Sequence, residues 1–219
     1  MNTNAKFDYS LYYHVYGQTN NKERLFRSQE NRNFFLRRLK RYLGGFLNFH
    51  SYALMGNHYH LSVKIKEEVD IQNYLDSIPV SERSVIEKDY MDLPEKSELI
   101  SDLVSSAFRR FFISYSQAFN KKYNRKGNLF NKPFKRSLFD PEIKFFYLQY
   151  YIHHNARKHG LVSNFEEYRY HSYFEILDGN SNIIDISEII LRFGSLENFE
   201  LFHKEKHYED KFEGLIIEE

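Results

Sequence analysis

The chain has no cysteine and no tryptophan, and only four prolines in 219 residues. Without thiols there is no disulfide, no thiolate-bound zinc and no cysteine nucleophile, and the composition fits a reducing compartment. Long apolar runs are missing as well. None approaches the roughly 18 residues expected of a membrane span, and the opening MNTNAKFDYS is polar where a secretory leader would carry an apolar centre. The expected setting is therefore the cytoplasm, with no membrane partner.

Acidic residues are absent from one long stretch. Between Leu103 and Phe139 there is none, whereas Arg109, Arg110, Lys121, Lys122, Arg125, Lys126, Lys132, Lys135 and Arg136 all fall there. A net charge of only +1 conceals this segregation. The cations alternate with Phe108, Phe111, Phe112, Tyr115, Phe119, Tyr123, Phe130 and Phe134. Such a mixture suits a partner that offers phosphates to neutralise and unpaired bases to stack. The competing reading is that aromatics at helical spacing are core and the charges a solvated face. Arg37, Arg38, Lys40 and Arg41 form a second basic face, while residues 67–102 and 175–219 are acid-rich and poor candidates for DNA contact.

The length fits one domain with additions. YSLYYHVYG reads as a first strand. SQENRNFFLRRLKRYL reads as a helix capped by Ser28, with Phe35, Leu39, Tyr42 and Leu43 inward and Gly44-Gly45 at its end. FLNFHSYALM is a second strand, joined through Gly56-Asn57 to a third that begins at His58. A short helix is expected near Ile71 to Ser77. Residues 79–96 are charged, hold two prolines and lack periodicity, so they read as an inserted loop. A long helix from Ser97 to Tyr123 carries the basic stretch, and PFKRSLF is a further strand. Asp140-Pro141 opens a helix that Gly160 stops. Strands alternating with helices around a hairpin indicate an α+β sandwich on an antiparallel sheet.

The third strand places His58, His60, Ser62 and Lys64 on one face and Tyr59, Leu61, Val63 and Ile65 on the other. Two imidazoles two positions apart can share one metal ion, although a lone His-x-His is as readily surface decoration. In the helix from 142 to 159, Phe145, Leu148, Ile152 and Ala156 form the apolar stripe. Tyr151 and Asn155 sit one turn apart on its flank, expected to be neither fully buried nor fully exposed. Tyr150 and His154 lie farther round, toward solvent, and Tyr147 is a third candidate phenol. A tyrosine on such a helix is most often packing. His14 faces either the site or the core, with a structural role expected.

Four blocks, YYHVYGQTNNKERLF, YALMGNHYHLSV, KKYNRKGNLFNKPFKRSL and YYIHHNARKHGLV, occur in the order and approximate spacing of the single-tyrosine HUH transposases. Over residues 9–175 the chain resembles especially their REP-associated tyrosine transposase branch. Gly56 stands where that family usually has the Pro of Met-Pro-Asn-His-x-His, and Ala156 replaces the Pro of Tyr-Ile-x-x-Asn-Pro. YHSY at 170–173 takes the place of the usual Trp-Ser-Ser. These departures touch loop geometry rather than the ligands, and leave room for a diverged or domesticated member.

The resemblance implies a ferredoxin/RRM-like α+β core, with the domain taken as residues 1–175, and the acid-rich remainder at 176–219 reads as a helical extension. It implies His58, His60 and Asn155 as metal ligands and Tyr151 as the nucleophile of a 5′-phosphotyrosine intermediate. A phenol ionises near pH ~10 and needs activation, and the covalent intermediate conserves bond energy for strand transfer. The expected cofactor is Mg²⁺, with Mn²⁺ as substitute. The expected partner is single-stranded DNA with a hairpin, a REP-like palindrome, lying along Arg109, Arg110, Lys121, Lys122, Arg125 and Lys126, with Lys135 and Arg136 near the cleft. Relatives imply a monomer or a homodimer. The main rival is a module that holds a DNA or RNA hairpin without cutting it. A zinc nucleoside deaminase would need His-x-Glu and a cysteine pair, which are missing.

Overall fold

The computed structural model describes residues 4–131, 133–205 and 207, so Lys132 of the cationic stretch and residues 208–219 of the acidic tail lie outside the description. The elements run β1 (Tyr12–Gln18), α1 (Gln29–Leu43), β2 (Leu47–Leu54), β3 (His58–Ile65), α2 (Glu68–Asp76), α3 (Val85–Asp92), α4 (Ile100–Lys122), β4 (Lys135–Phe139) and α5 (Pro141–Lys158). Three more helices follow: α6 (Tyr173–Leu177), α7 (Ile186–Phe193) and α8 (Leu196–Lys204). The strands form one antiparallel sheet in the order β2-β3-β1-β4. With α1 between β1 and β2, and α4 between β3 and β4, this is the ferredoxin-like arrangement. Among the described residues no helix is long and apolar enough to cross a membrane.

Strand alternation assigns the two faces. Tyr13, Val15, Tyr59, Leu61 and Val63 are buried on the side of α1 and α4. There Tyr59 meets Phe35 at 5.4 Å and Phe112 at 6.0 Å between ring centroids. Phe35 in turn packs edge-on against Phe111 and Tyr115, so much of the aromatic content of the basic stretch is core. The polar face is covered too. Helix α5 lies across it, with Phe145 against Tyr12 and the buried Gln149 amide donating to Ser62 Oγ at 3.0 Å.

Local chemistry explains where the helices begin. Ser28 Oγ accepts from Asn31 N at 3.3 Å at the start of α1. Asp140 accepts from Glu142 N at 3.0 Å at the start of α5, where Pro141 surrenders no needed donor.

Residues 79–96 are not a loop throughout, because α3 forms inside them. Ser84 donates through both its backbone N and its hydroxyl to Glu87 Oε2, at 2.7 and 2.8 Å. Glu87 pairs with Arg110 of α4, and the Tyr90 hydroxyl shares a 2.6 Å hydrogen bond with Tyr9. Two turns are too short to display a hydrophobic period. Tertiary contacts of Glu87 and Tyr90 stabilise the helix instead.

Both sheet edges are covered. Leu54 N donates to Tyr170 O at 2.8 Å and Asp185 N to Phe49 O at 2.7 Å, so the C-terminal segment lines β2. On the other edge Arg136 Nε donates to Ala5 O at 2.6 Å. Such cover removes free strand edges that would otherwise template aggregation.

The C-terminal helices also bury a face of α5 that was expected to meet solvent. Tyr150 stacks on His154 at 3.8 Å, beneath Phe202 and His203. One amphipathic stripe was assumed, but α5 has two partners, the sheet and α8. Imidazoles join them. Ser172 Oγ donates to His153 Nε2 at 2.9 Å, His153 Nδ1 donates to His203 Nε2 at 2.8 Å, and His203 Nδ1 donates to Phe199 O at 2.8 Å. His154 Nε2 donates to His203 O at 3.0 Å. The network needs every ring neutral. Burial, reinforced by the neighbouring imidazoles, pushes His154 and His203 down to about 3 and His153 well below its ordinary value.

These rings stay neutral when folded and protonate near pH ~6.5 when unfolded, so the unfolded chain binds more protons in the interval between. Stability is expected to fall as pH drops from about 6.5 toward 3, by up to about 1.4 kcal/mol per pH unit for each histidine. Thermal melts across that window check this; a flat profile would contradict the neutral network.

Candidate active site

Register brings the polar face of β3 beside β1 and beneath α5. His58 and His60 stand perpendicular with ring centroids 5.3 Å apart. His58 Nδ1 bonds Asn57 Oδ1 at 2.8 Å, which leaves Nε2 facing Asn155 Oδ1 of α5 at 3.3 Å. His60 Nδ1 lies 2.9 Å from Nε2 of His14 on β1. This contact arises because His14 pairs opposite Ser62 and therefore lies diagonal to His60. Burial holds His60 well below the usual imidazole range, helped by the positive potential of His14, His58, His159 and Lys158. The ring is neutral and can offer a lone pair.

Tyr151 lies one helical turn before Asn155, and both are buried rather than half-exposed, Tyr151 at 6% and Asn155 at 0%. The flank of the stripe is not half-exposed because it lies against the histidines of β1 and β3. The Tyr151 ring stands edge-on to His60 at 5.6 Å and to His14 at 5.9 Å. Lys158 Nζ sits 5.5 Å from its centroid. Exposed His159 brings a further imidazole 5.3 Å from His58, at the open end of the cluster.

His14, Lys158 and His159 join the cluster without having been singled out as site residues. His14 was expected to be structural, and it faces the site because of a strand pairing that local sequence does not display. Lys158 and His159 lie two turns beyond Tyr151 and one turn beyond Asn155, a spacing that could have found them.

The donor set has a definite chemistry. Asn155 Nδ2 has no hydrogen-bond partner, an uncommon state for a buried amide. With His58 Nδ1 donating to Asn57, His58 Nε2 and Asn155 Oδ1 present two lone pairs to each other, which a cation between them would satisfy. Among the described residues no group of three or more His, Asp or Glu side chains has metal-holding geometry. Of the cluster's groups, His58, His60 and Asn155 would supply two imidazoles and one amide oxygen, a donor set suited to an ion that keeps open positions for phosphate and water.

The cations of the basic stretch divide by role. Arg110 pairs with Glu87, Lys122 with Glu30, and Arg125 with Glu23 at 2.7 Å. Arg136 stacks on Phe7 and Phe134. Among the described residues Arg109, Lys121, Lys126 and Lys135 are exposed and make no ion pair. Lys135 is paired in register with Tyr16, which is paired with His60, so it extends the row of the histidine cluster.

A solved structure described as a REP-associated tyrosine transposase bound to a REP hairpin matches 83% of this chain and 90% of that one, with a TM-score of 0.54 and 13% identity. At that identity the likeness is one of fold. No protein-family model matches the chain, and no curated protein sequence matches it.

Removing Arg110 strands the buried Glu87 carboxylate, so Arg110→Ala is expected to destabilise the chain by about 1–3 kcal/mol, whereas exposed Arg109→Ala should change stability by less than about 0.5 kcal/mol. Urea unfolding of the two variants checks the contrast; equal losses would show that the Glu87 pair contributes nothing.

Proposed function

We propose that the chain binds hairpin-containing single-stranded DNA and cuts and rejoins it with Tyr151 as nucleophile. The observation that carries this reading is the gathering of Tyr151 and Asn155 of α5 with His58 and His60 of β3 in one cluster. The solved transposase of like fold, described as bound to a REP hairpin, supports the choice of DNA partner.

A divalent ion, Mg²⁺ or its substitute Mn²⁺, held by His58, His60 and Asn155 Oδ1, would supply Lewis-acid polarisation of the scissile phosphate. The chain's own groups do the rest. The Tyr151 oxygen bonds to phosphorus as the bond from phosphorus to the 3′-oxygen breaks, and the phenolic proton ends on the departing 3′-hydroxyl. Lys158 Nζ, 5.5 Å from the centroid of the Tyr151 ring, puts a positive charge beside the attacking residue. His14 holds His60 Nδ1, so that the opposite nitrogen is left for ligation. Exposed Arg109, Lys121, Lys126 and Lys135 neutralise backbone phosphates, and affinity falls as salt rises.

A second reading, a hairpin-binding module that does not cut, draws on the burial of Tyr151 and Asn155. Cutting requires the open end of the cluster at His159 to admit a phosphate. Purified protein incubated with end-labelled hairpins from its own genomic neighbourhood, with Mg²⁺, Mn²⁺ or chelator, is expected to give a metal-dependent covalent adduct on a denaturing gel that Tyr151→Phe abolishes. An adduct that survives the substitution would move the nucleophile to Tyr150 or Tyr147. Bound DNA without any adduct would favour the module.

His14→Ala is expected to weaken Mn²⁺ binding about 10- to 100-fold, read by titration calorimetry, because the orientation of His60 is lost. Unchanged affinity would remove His14 from the site's support.

A further inference from the structure

The last turn of α5 carries more than the seating of the helix requires. Its end is a closed backbone unit, in which His159 N donates to Asn155 O, Gly160 N to Arg157 O and Leu161 N to Ala156 O, each at 3.0 Å. Gly160 permits this with a φ of +68°, the left-handed conformation that ends many helices. Three carbonyls that would otherwise repel an approaching anion are thereby occupied. The backbone fixes His159 in place and leaves its side chain unused.

Two side chains of that turn serve the cluster. Asn155 follows Tyr151 by one turn and His159 follows Asn155 by another, so phenol, amide and imidazole form one row along the helix. Strand β3 lies against this row, with His60 5.6 Å from the Tyr151 ring and His58 5.3 Å from the His159 ring. Because β3 begins at His58, the strand stops where the row continues, and His159 is exposed there. Among the described residues its ring makes no hydrogen bond and no ion pair. Lys158 is exposed too, and it reaches back along the helix, as helical side chains tilt, to place Nζ 5.5 Å from the centroid of the Tyr151 ring.

Distance assigns the two to different phosphates. Eight residues of helix place His159 about 12 Å beyond Tyr151 along the axis. One phosphate cannot be held by both, whereas successive phosphates of a single strand can. Nor is His159 a further ligand for an ion at His58 and His60, since no trio of histidines among the described residues has metal-holding geometry.

We propose that the last turn of α5 is a two-phosphate clamp in the cleavage site. Lys158 contacts a non-bridging oxygen of the scissile phosphate, and a ring N–H of His159 donates to the phosphate of the adjacent nucleotide. The proposal rests on the cutting reading above and adds to it the residues that hold the strand while Tyr151 attacks. Both contacts are to backbone oxygens, so the clamp reads no base. Their consequences differ. Charge redistributes over the oxygens of the scissile phosphate as the phenol oxygen bonds to phosphorus, so Lys158 acts on the rate of that step. The adjacent phosphate is unchanged by the reaction, so His159 acts on binding.

The test scans methylphosphonates, each removing the charge of one phosphate, position by position along the single strand of stem-loop DNA from the protein's own genomic neighbourhood. Binding is read with Mn²⁺ in the Tyr151→Phe background, where no cut intervenes, and adduct formation by single turnover with Tyr151 intact. His159→Ala is expected to weaken binding about tenfold. It should also abolish the methylphosphonate penalty at one position only, the phosphate next to the cut, because two removals of one contact do not add. Mn²⁺ affinity by titration calorimetry and the melting temperature should not change, and His159→Gln, which keeps an N–H donor, should restore part of the binding. Lys158→Ala is expected to slow adduct formation about 100-fold at saturating DNA, with Lys158→Arg restoring most of the rate. Arg157→Ala, which removes an exposed cation of the same turn on the Tyr150 side, should do neither.

The clamp is overturned if His159→Ala leaves the methylphosphonate profile intact, if the position it silences is not next to the cut, or if it lowers Mn²⁺ affinity as loss of a ligand would. It is equally overturned if Lys158→Ala slows the adduct no more than Arg157→Ala does. A wild type that binds hairpins and forms no adduct would defeat the cutting reading itself, while the methylphosphonate profile would still decide whether His159 holds a phosphate.

Discussion

Helix α5 is held to the sheet by polar contacts that water cannot replace. Gln149 donates to Ser62, Asn155 faces His58, and both side chains are fully buried. An apolar stripe alone would let a helix slide or rotate at small cost, because dispersion contacts are numerous and undirected. The directed Gln149–Ser62 hydrogen bond and the close approach of Asn155 to His58 six residues on fix both the rotation and the height of the helix. The placement of Tyr151 against His60 follows from that seating, and so does every geometric statement about the cluster.

The same helix carries a second load on its outer side. His153, His154 and His203 bind the C-terminal layer to α5 through neutral imidazoles, and α8 thereby becomes part of the setting of the tyrosine helix. Buried polar networks of this kind are costly when incomplete and specific when complete. Here each ring nitrogen of His153 and His203 has a partner, which explains how such a polar helix can be buried along both flanks.

Sheet geometry separates two surfaces by a single strand thickness. The histidine cluster occupies the α5 face, and an aromatic and cationic groove lined by Arg109, Phe112, Phe130 and Arg136 occupies the α4 side, with β1 and β4 contributing alternate residues to each. Arg136 and Lys135 illustrate the economy of a period of two: neighbours in sequence, they serve opposite faces. The pairing of several basic residues with Glu23, Glu30 and Glu87 also shows why a cationic run cannot be read as wholly free charge. Part of it holds the loops and helices that shape the groove.

Residue periodicity and end signals determined much of the architecture by themselves. The alternation of His58 to Ile65, the Ser28 and Asp140 caps, the Gly56-Asn57 hairpin and the stripe from Phe145 to Ala156 all act within a few residues, where backbone stereochemistry governs. Tyr151, Asn155, His58 and His60 were legible for the same reason, since a helical turn and a strand repeat set their spacing. Tertiary structure alone decided the rest. His14 reaches His60 through a cross-strand register, α3 depends on a carboxylate answered from α4, and Tyr150 and His154 are enclosed by a layer some fifty residues away in the chain. Such contacts join residues distant in sequence, and no local pattern records which of the possible partners the folded chain brings together.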